Sequence, residues 1–150
     1  MQNLEFNTGM IELAIQGDPN RVLRFNPTDE HTVVGFLNLF KGAQQKISEL
    51  AVEEGLLCAP GNGLSGLERT EKKNELWLGA DKFLRDEIDK LFGQGTSEMV
   101  FGKLSSVALT SSGETVFMAF MSAMLPHITK DITVRNERIR SAVQKYKPQR

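Results

Sequence analysis

The sequence predicts an α+β fold in one domain of 150 residues, with a small antiparallel β-meander over about residues 3–26 followed by a mainly helical bundle over about 29–146. Three observations carry this. Apolar residues alternate near the N-terminus with Gly, Asn and Pro between the runs, which is the period of strands joined by tight turns. Beyond residue 29 the period lengthens to helical spacing. Two aromatic-glycine stops, Phe92-Gly93 and Phe101-Gly102, lie nine residues apart in IDKLFGQGTSEMVFG; each reads as a helix that buries its last aromatic and ends on a residue free to take positive φ.

The strands are expected at Leu4 and Phe6, at Ile11, Leu13 and Ile15, and at Val22 and Phe25, with turns at Asn7-Thr8-Gly9 and at Gly17-Asp18-Pro19-Asn20; Leu23 falls out of phase. Thr28 or Asp29 is placed to cap a first helix over about 29–54 that stops at Gly55 and carries Val33, Leu37, Phe40, Ile47 and Leu50 on one stripe. Gly35 and Gly42 inside it each cost about 1 kcal/mol relative to Ala and suit close packing. Residues 56–73 show no period and read as a long flexible loop, of a length that usually moves or binds; Leu56, Leu57, Leu64 and Leu67 supply apolar docking groups. A second helix is expected over about 74–92, with Leu76, Ala80, Phe83, Leu84, Ile88 and Leu91 on one face, and a short third over 96–101, started by Thr96 or Ser97 and ended by Gly102. Ser111 and Glu114 form a candidate capping box ahead of an apolar helix that Pro126 bends or ends. A last helix with Ile132, Ile139 and Val143 then closes near Tyr146.

Composition sets the class. Hydrophobic residues at 40% and charged residues at 25% suit a globular protein with one core. The net charge of −1 gives no global pull toward nucleic acid or anionic lipid. The charge is nonetheless unevenly placed: residues 130–150 hold seven Lys and Arg against Asp131 and Glu137, a balance of +5, while residues 1–129 hold 11 against 17, a balance of −6. One cysteine, Cys58, excludes an intramolecular disulfide framework and fits a reducing compartment. No apolar run reaches the roughly 18–20 residues of a membrane span and the N-terminus lacks a signal-peptide pattern, so the chain is expected in the cytoplasm, away from membranes.

Covalent chemistry finds little support. The two histidines, His31 and His127, read as surface or capping residues, and Cys58 between Leu57 and Ala59 reads as a small apolar contact. Two histidines and one cysteine at wide spacing match no metal pattern. Gly61-Asn62-Gly63 lacks the strand, Lys-Ser/Thr pair and helix of a phosphate cradle. The expectation is no catalytic residue, no cofactor and no metal.

What remains is interaction. Phe117, Met118, Met121, Met124 and Leu125 form a Met-rich stripe whose two readings are core packing and an adaptable surface for another polypeptide. Arg135, Arg138 and Lys145 belong to the basic tail, for which a solvated face ranks first, contact with the acidic body of another copy second, and nucleic acid third, since Tyr146 is its lone stacking residue. These eight residues are the candidate interaction surface.

Taken together, LEFNTGMIELAI, RFNPTDEHTV and LRDEIDKLFGQGTSEMVFG, with the closing basic helix ending in Lys145-Tyr146, resemble a family of small tail proteins of phages and prophages of Gram-positive bacteria, associated with tail assembly chaperones. The resemblance covers nearly the whole chain apart from residues 56–73. It implies a non-enzymatic factor that binds the tape measure protein, the tail tube protein or both in the host cytoplasm; a homo-oligomer is a further expectation, drawn from the opposite charges of tail and body. The two rival implications are a minor tail or adaptor subunit kept in the virion and, more distantly, a nucleic-acid-binding regulator acting through the basic C-terminal helix.

Overall fold

A computed structural model describes the backbone of residues 1–145 and the side chains of all of these except 130–136 and 138. The architecture is α+β: a two-stranded antiparallel sheet, β1 (Ile11–Ile15) and β2 (Asp18–Phe25), followed by α1 (Glu30–Leu57), α2 (Gly66–Phe92), α3 (Thr96–Phe101) and α4 (Val116–Lys145). The expected first strand of the meander does not form. Leu4 and Phe6 are 84% and 74% exposed, and the sheet is a hairpin.

The hairpin turns at Gln16-Gly17, both at positive φ, the pair of conformations that matches the twist of the flanking strands. Ile11 pairs with Phe25 and Leu13 with Leu23, whereas the register slips between Ala14 and Ile15 so that residues 19–21 bulge from β2. The slip inverts the expected phase. Leu23 and Phe25 enter the core and Val22 is the half-buried residue out of step.

Asn26 knots the junction to α1. Its Oδ1 accepts from the Thr28 amide (2.8 Å) and hydroxyl (2.7 Å), and Asp29 then caps the helix by accepting from the His31 amide at 3.1 Å. The helix runs through Gly55 to Leu57, two residues past the expected stop. Asn62 organises the following turn, donating to the Leu57 carbonyl and accepting from the Leu64 amide. The long loop thus shrinks to residues 58–65. Ser65 accepts from the Glu68 amide at 3.2 Å, opening α2 eight residues earlier than apolar spacing indicates. Residues 66–73 lack a core face, so no period marks them; Lys73 and the Trp77 indole instead both bind Glu54 and close the α1–α2 hairpin.

Both aromatic-glycine stops form. Gly93 (φ 117°) and Gly102 (φ 60°) end α2 and α3, Phe92 packs edge-on to Phe25, and Phe101 is buried against Phe117 and Phe120. Six residues are too few for a self-sustaining helix, and α3 is held by charged side chains from outside it. At its start Asp89 accepts from the Ser97 amide (2.8 Å) and hydroxyl (3.1 Å). At its end the Arg21 guanidinium, projected by the β2 bulge, donates to the Met99 and Val100 carbonyls at 2.8 and 2.6 Å. Arg85 donates to the Gly102 and Leu104 carbonyls while lying over the Phe101 ring and pairing with Asp81 at 3.0 Å.

Asp81 in turn accepts from the amide (2.8 Å) and hydroxyl (2.6 Å) of fully buried Ser106. Burial alone raises its pKa, but the Ser106 hydrogen bonds and then Arg85 outweigh that and hold it below the ordinary 3.8.

α4 also departs from expectation. Ser111 and Glu114 are exposed in a tight reversal closed by the Thr110 amide on the Glu114 carbonyl, and Thr115 caps the helix by accepting from the Met118 amide at 3.2 Å. Pro126 neither ends the helix nor separates a last one. Pro126 and Ser122 are both exposed, so the carbonyl that Pro126 leaves without a donor lies toward water, where losing one helical bond costs least.

Because the folded pKa of Asp81 lies below the unfolded value, its stabilisation is complete above about pH 5 and is lost as pH falls through 3.8 toward the folded value. Asp81→Asn is expected to cost about 2 kcal/mol at pH 7, and the gap to the parent in urea midpoint is expected to narrow as pH falls below 5 and through 3.8. A gap independent of pH contradicts this role.

Candidate interaction surfaces

The Met-rich stripe is core. Phe117 and Met121 are fully buried, Met124 is 3% exposed and Ile128 continues the line, so burial removes Phe117 and Met121 from any surface and leaves Met124 only the floor of a groove. Met118 and Leu125 lie at the core's margin, half-buried, and Lys145 is exposed. An i, i+3/i+4, i+7 pattern is common to a core helix and a gripping one, and here α1 and Phe101 of α3 pack against it. Arg135, Arg138 and Tyr146 lie outside the described residues.

The residues able to do chemistry do not converge. His31 and Cys58 are exposed at opposite ends of α1, which at 1.5 Å per residue sets them ~40 Å apart. His127 is exposed along α4. Among the described residues, no three His, Cys, Asp or Glu side chains come together as a metal site, and no helix is long and apolar enough to cross a membrane.

Two grooves stand out among the described residues. The first, of ≈ 510 Å³, runs along α1 beside α2 and is lined by Gly35, Leu39, Gly42, Lys46 and Glu49 at helical intervals, with Phe83 and Glu87 opposite. Its two glycines differ. A Cβ on Gly35 falls 2.7 Å from Leu91 Cδ1, so Gly35 serves the approach of α1 to α2, whereas a Cβ on Gly42 meets nothing within 4 Å. At Gly42 the helix backbone is bare toward solvent. Phe83 is 46% exposed beside it, with the Lys46 ammonium 5.9 Å from its ring centroid, a cation–π contact at the groove's rim.

The second groove, of ≈ 580 Å³, lies between β1, α3 and the first half of α4. Phe101, Val116, Phe120 and Met124 form its apolar wall, and three consecutive residues of β1, Leu13 to Ile15, border it with Gln16 of the turn. Consecutive residues alternate between sheet faces, so it is the strand's edge that borders the groove. β2 occupies the other edge, and among the described residues nothing pairs with this one. Aside from His127, Thr110 and Gln16 the lining is apolar, which suits an apolar side chain better than a small substrate oriented by convergent polar groups.

Comparison of the chain with protein-family models, curated proteins and solved structures returns no match.

The unequal glycines make a direct test of groove geometry. Gly42→Ala is expected to stabilise the fold by about 1 kcal/mol through helix propensity alone. Gly35→Ala is expected to gain less or to lose stability, because Leu91 must move. Equal shifts in urea midpoint contradict the assignment of an open and a filled position.

Proposed function

We propose that this chain is a non-enzymatic tail assembly chaperone that binds the tape measure protein, and through it the assembling tail tube, during phage tail assembly. The family is taken from the sequence resemblance in residues 4–15, 24–33 and 84–102. The observation that carries the binding mode is the helix-sized groove along α1, bare of side chain at Gly42 and walled by Leu39 and Phe83.

A tape measure protein is long, helical and apolar. Laid along α1, one of its helices brings its backbone close at Gly42 and sets i, i+3 and i+4 side chains against Leu39 and Phe83, the helix-in-groove mode. Lys46, Glu49 and Glu87 at the rim pair with charges on the client and fix its register more than its affinity. Apolar burial at ~25 cal/mol per Å² is the main favourable contribution, much of it offset by the cost of association. The groove is open and shallow, consistent with a client that is held in transit and then released to the polymerising tube.

Co-expression with the tape measure protein of the same phage is expected to raise the soluble fraction of that client, and Gly42→Leu, which fills the groove from an unobstructed position, is expected to abolish the gain while leaving the circular dichroism unchanged. No gain with the parent chain contradicts the chaperone reading; a gain that Gly42→Leu preserves contradicts the groove. Mass spectrometry of purified particles is expected to find the chain absent, and its presence at subunit stoichiometry would favour a virion component instead.

A further inference from the structure

Residues 1–10 form an arm that the rest of the chain does not cover. Leu4 and Phe6 carry the alternation of a strand, and they are among the most exposed large apolar side chains of the molecule. The arm is already extended where it matters. Asn3 donates to Glu5 at 2.6 Å, a side-chain bond between positions i and i+2 that puts both on one face and turns Leu4 and Phe6 to the other.

The root of this arm is tied to the residue that follows β2. Asn26 donates to the Thr8 carbonyl at 2.7 Å, and Asn7 accepts from the Gly9 amide at 2.9 Å. Gly9 sits at φ 72°, and a Cβ there would fall 2.9 Å from Asn26 Nδ2. These contacts hold the root of the arm against Asn26, the residue that follows β2. The strand that the sequence encodes at residues 4–6 is not part of its own two-stranded sheet. An unpaired edge and an apolar groove are nonetheless present on every copy.

We propose that residues 3–7 of one copy add as a third strand to the free edge of β1 in a second copy, with Leu4 and Phe6 seated against Phe101, Val116 and Phe120, so that two copies exchange arms reciprocally. Length and area both fit. Five extended residues span ~17 Å, the length of the five-residue β1. A buried Phe accounts for ~150–250 Å²; two Phe6, two Leu4, their strand backbones and the walls they cover reach on the order of 1,200–1,600 Å², the range of a stable interface. Main-chain pairing with alternate side chains in pockets is the strand-addition mode of recognition. It also removes the edge that would otherwise template non-specific association. The exchange uses the second groove and leaves Gly42 free, so it stands or falls separately from client binding.

The test is the mass of the full chain by size-exclusion chromatography with light scattering, expected at twice 16.7 kDa. The double variant Leu4→Asp/Phe6→Asp alters the arm, and Ala123→Arg blocks the groove from an exposed position on its wall. Neither touches a buried side chain, and thermal unfolding at low concentration checks that each folds. Each is expected to weaken self-association by on the order of a hundredfold. Mixing the two is expected to give a heterodimer weaker than the parent dimer but tighter than either variant with itself, because one intact arm meets one intact groove. A monomeric parent, as when an arm seats in its own groove, overturns the proposal, as does a dimer that survives both substitutions or a mixture that associates no more tightly than either variant alone.

Discussion

The carboxylate of Asp81 holds together parts of the chain that have no other reason to meet. It sits on α2, pairs with Arg85 one turn on, and takes both the amide and the hydroxyl of Ser106. Arg85 then reaches the carbonyls that follow α3. With Asp89 at the start of α3 and Arg21 on its last turn, ionised side chains satisfy backbone groups at both ends of a six-residue helix. Charge-assisted bonds of this kind are about twice as strong as neutral ones and costly to break once desolvated. They substitute for the cooperativity that so short a helix lacks.

The placement of α3 sets what the surface offers. Phe101, the last residue of α3, meets Phe117 and Phe120 and so aligns the buried face of α4, which draws the Met121 and Met124 side chains inward and leaves the groove beside β1 with an aromatic wall. The α1–α2 hairpin lies on the other side of the core and presents a different kind of surface, a helix face interrupted at Gly42. One groove is bordered by a strand edge and the other by a helix. They suit an extended segment and a helical one respectively.

The two aromatic-glycine stops are legible in the sequence, whereas the end of α1 and several of the starts are not. Phe92-Gly93, Phe101-Gly102 and the Asp29 cap could be read because each is a local event, decided within a few residues by φ preference or a single hydrogen bond. The opening of α2 was hidden because residues 66–73 have no buried face, although Ser65 and Glu68 carry the capping pattern. Thr115 was passed over for Ser111, since the two differ only in whether the intervening residues form a reversal, which depends on the Thr110–Glu114 contact. Pro126 misled because its cost depends on whether Ser122 faces water. The Met-rich stripe shows the same limit at larger scale: spacing identifies an apolar face, and only packing decides what covers it. Arg21 and Arg85 could not be singled out, because their partners are backbone carbonyls 78, 79, 17 and 19 residues away. Leu4 and Phe6 carry a strand pattern without a strand, because alternation marks a residue's fitness for a sheet and not the presence of a partner.

Residue-resolved native-state hydrogen exchange on the full chain tests the clamp around α3 most directly, since opening free energies separate local from global events. The amides of Ser97, Gly102 and Ser106 are expected to exchange only through global unfolding, with the same opening free energy as the buried positions Leu84 and Ile88 of α2. Exchange of α3 through a local opening well below that of α2 would contradict the account, because a helix that detaches on its own is not what aligns α4 or builds the wall of the groove.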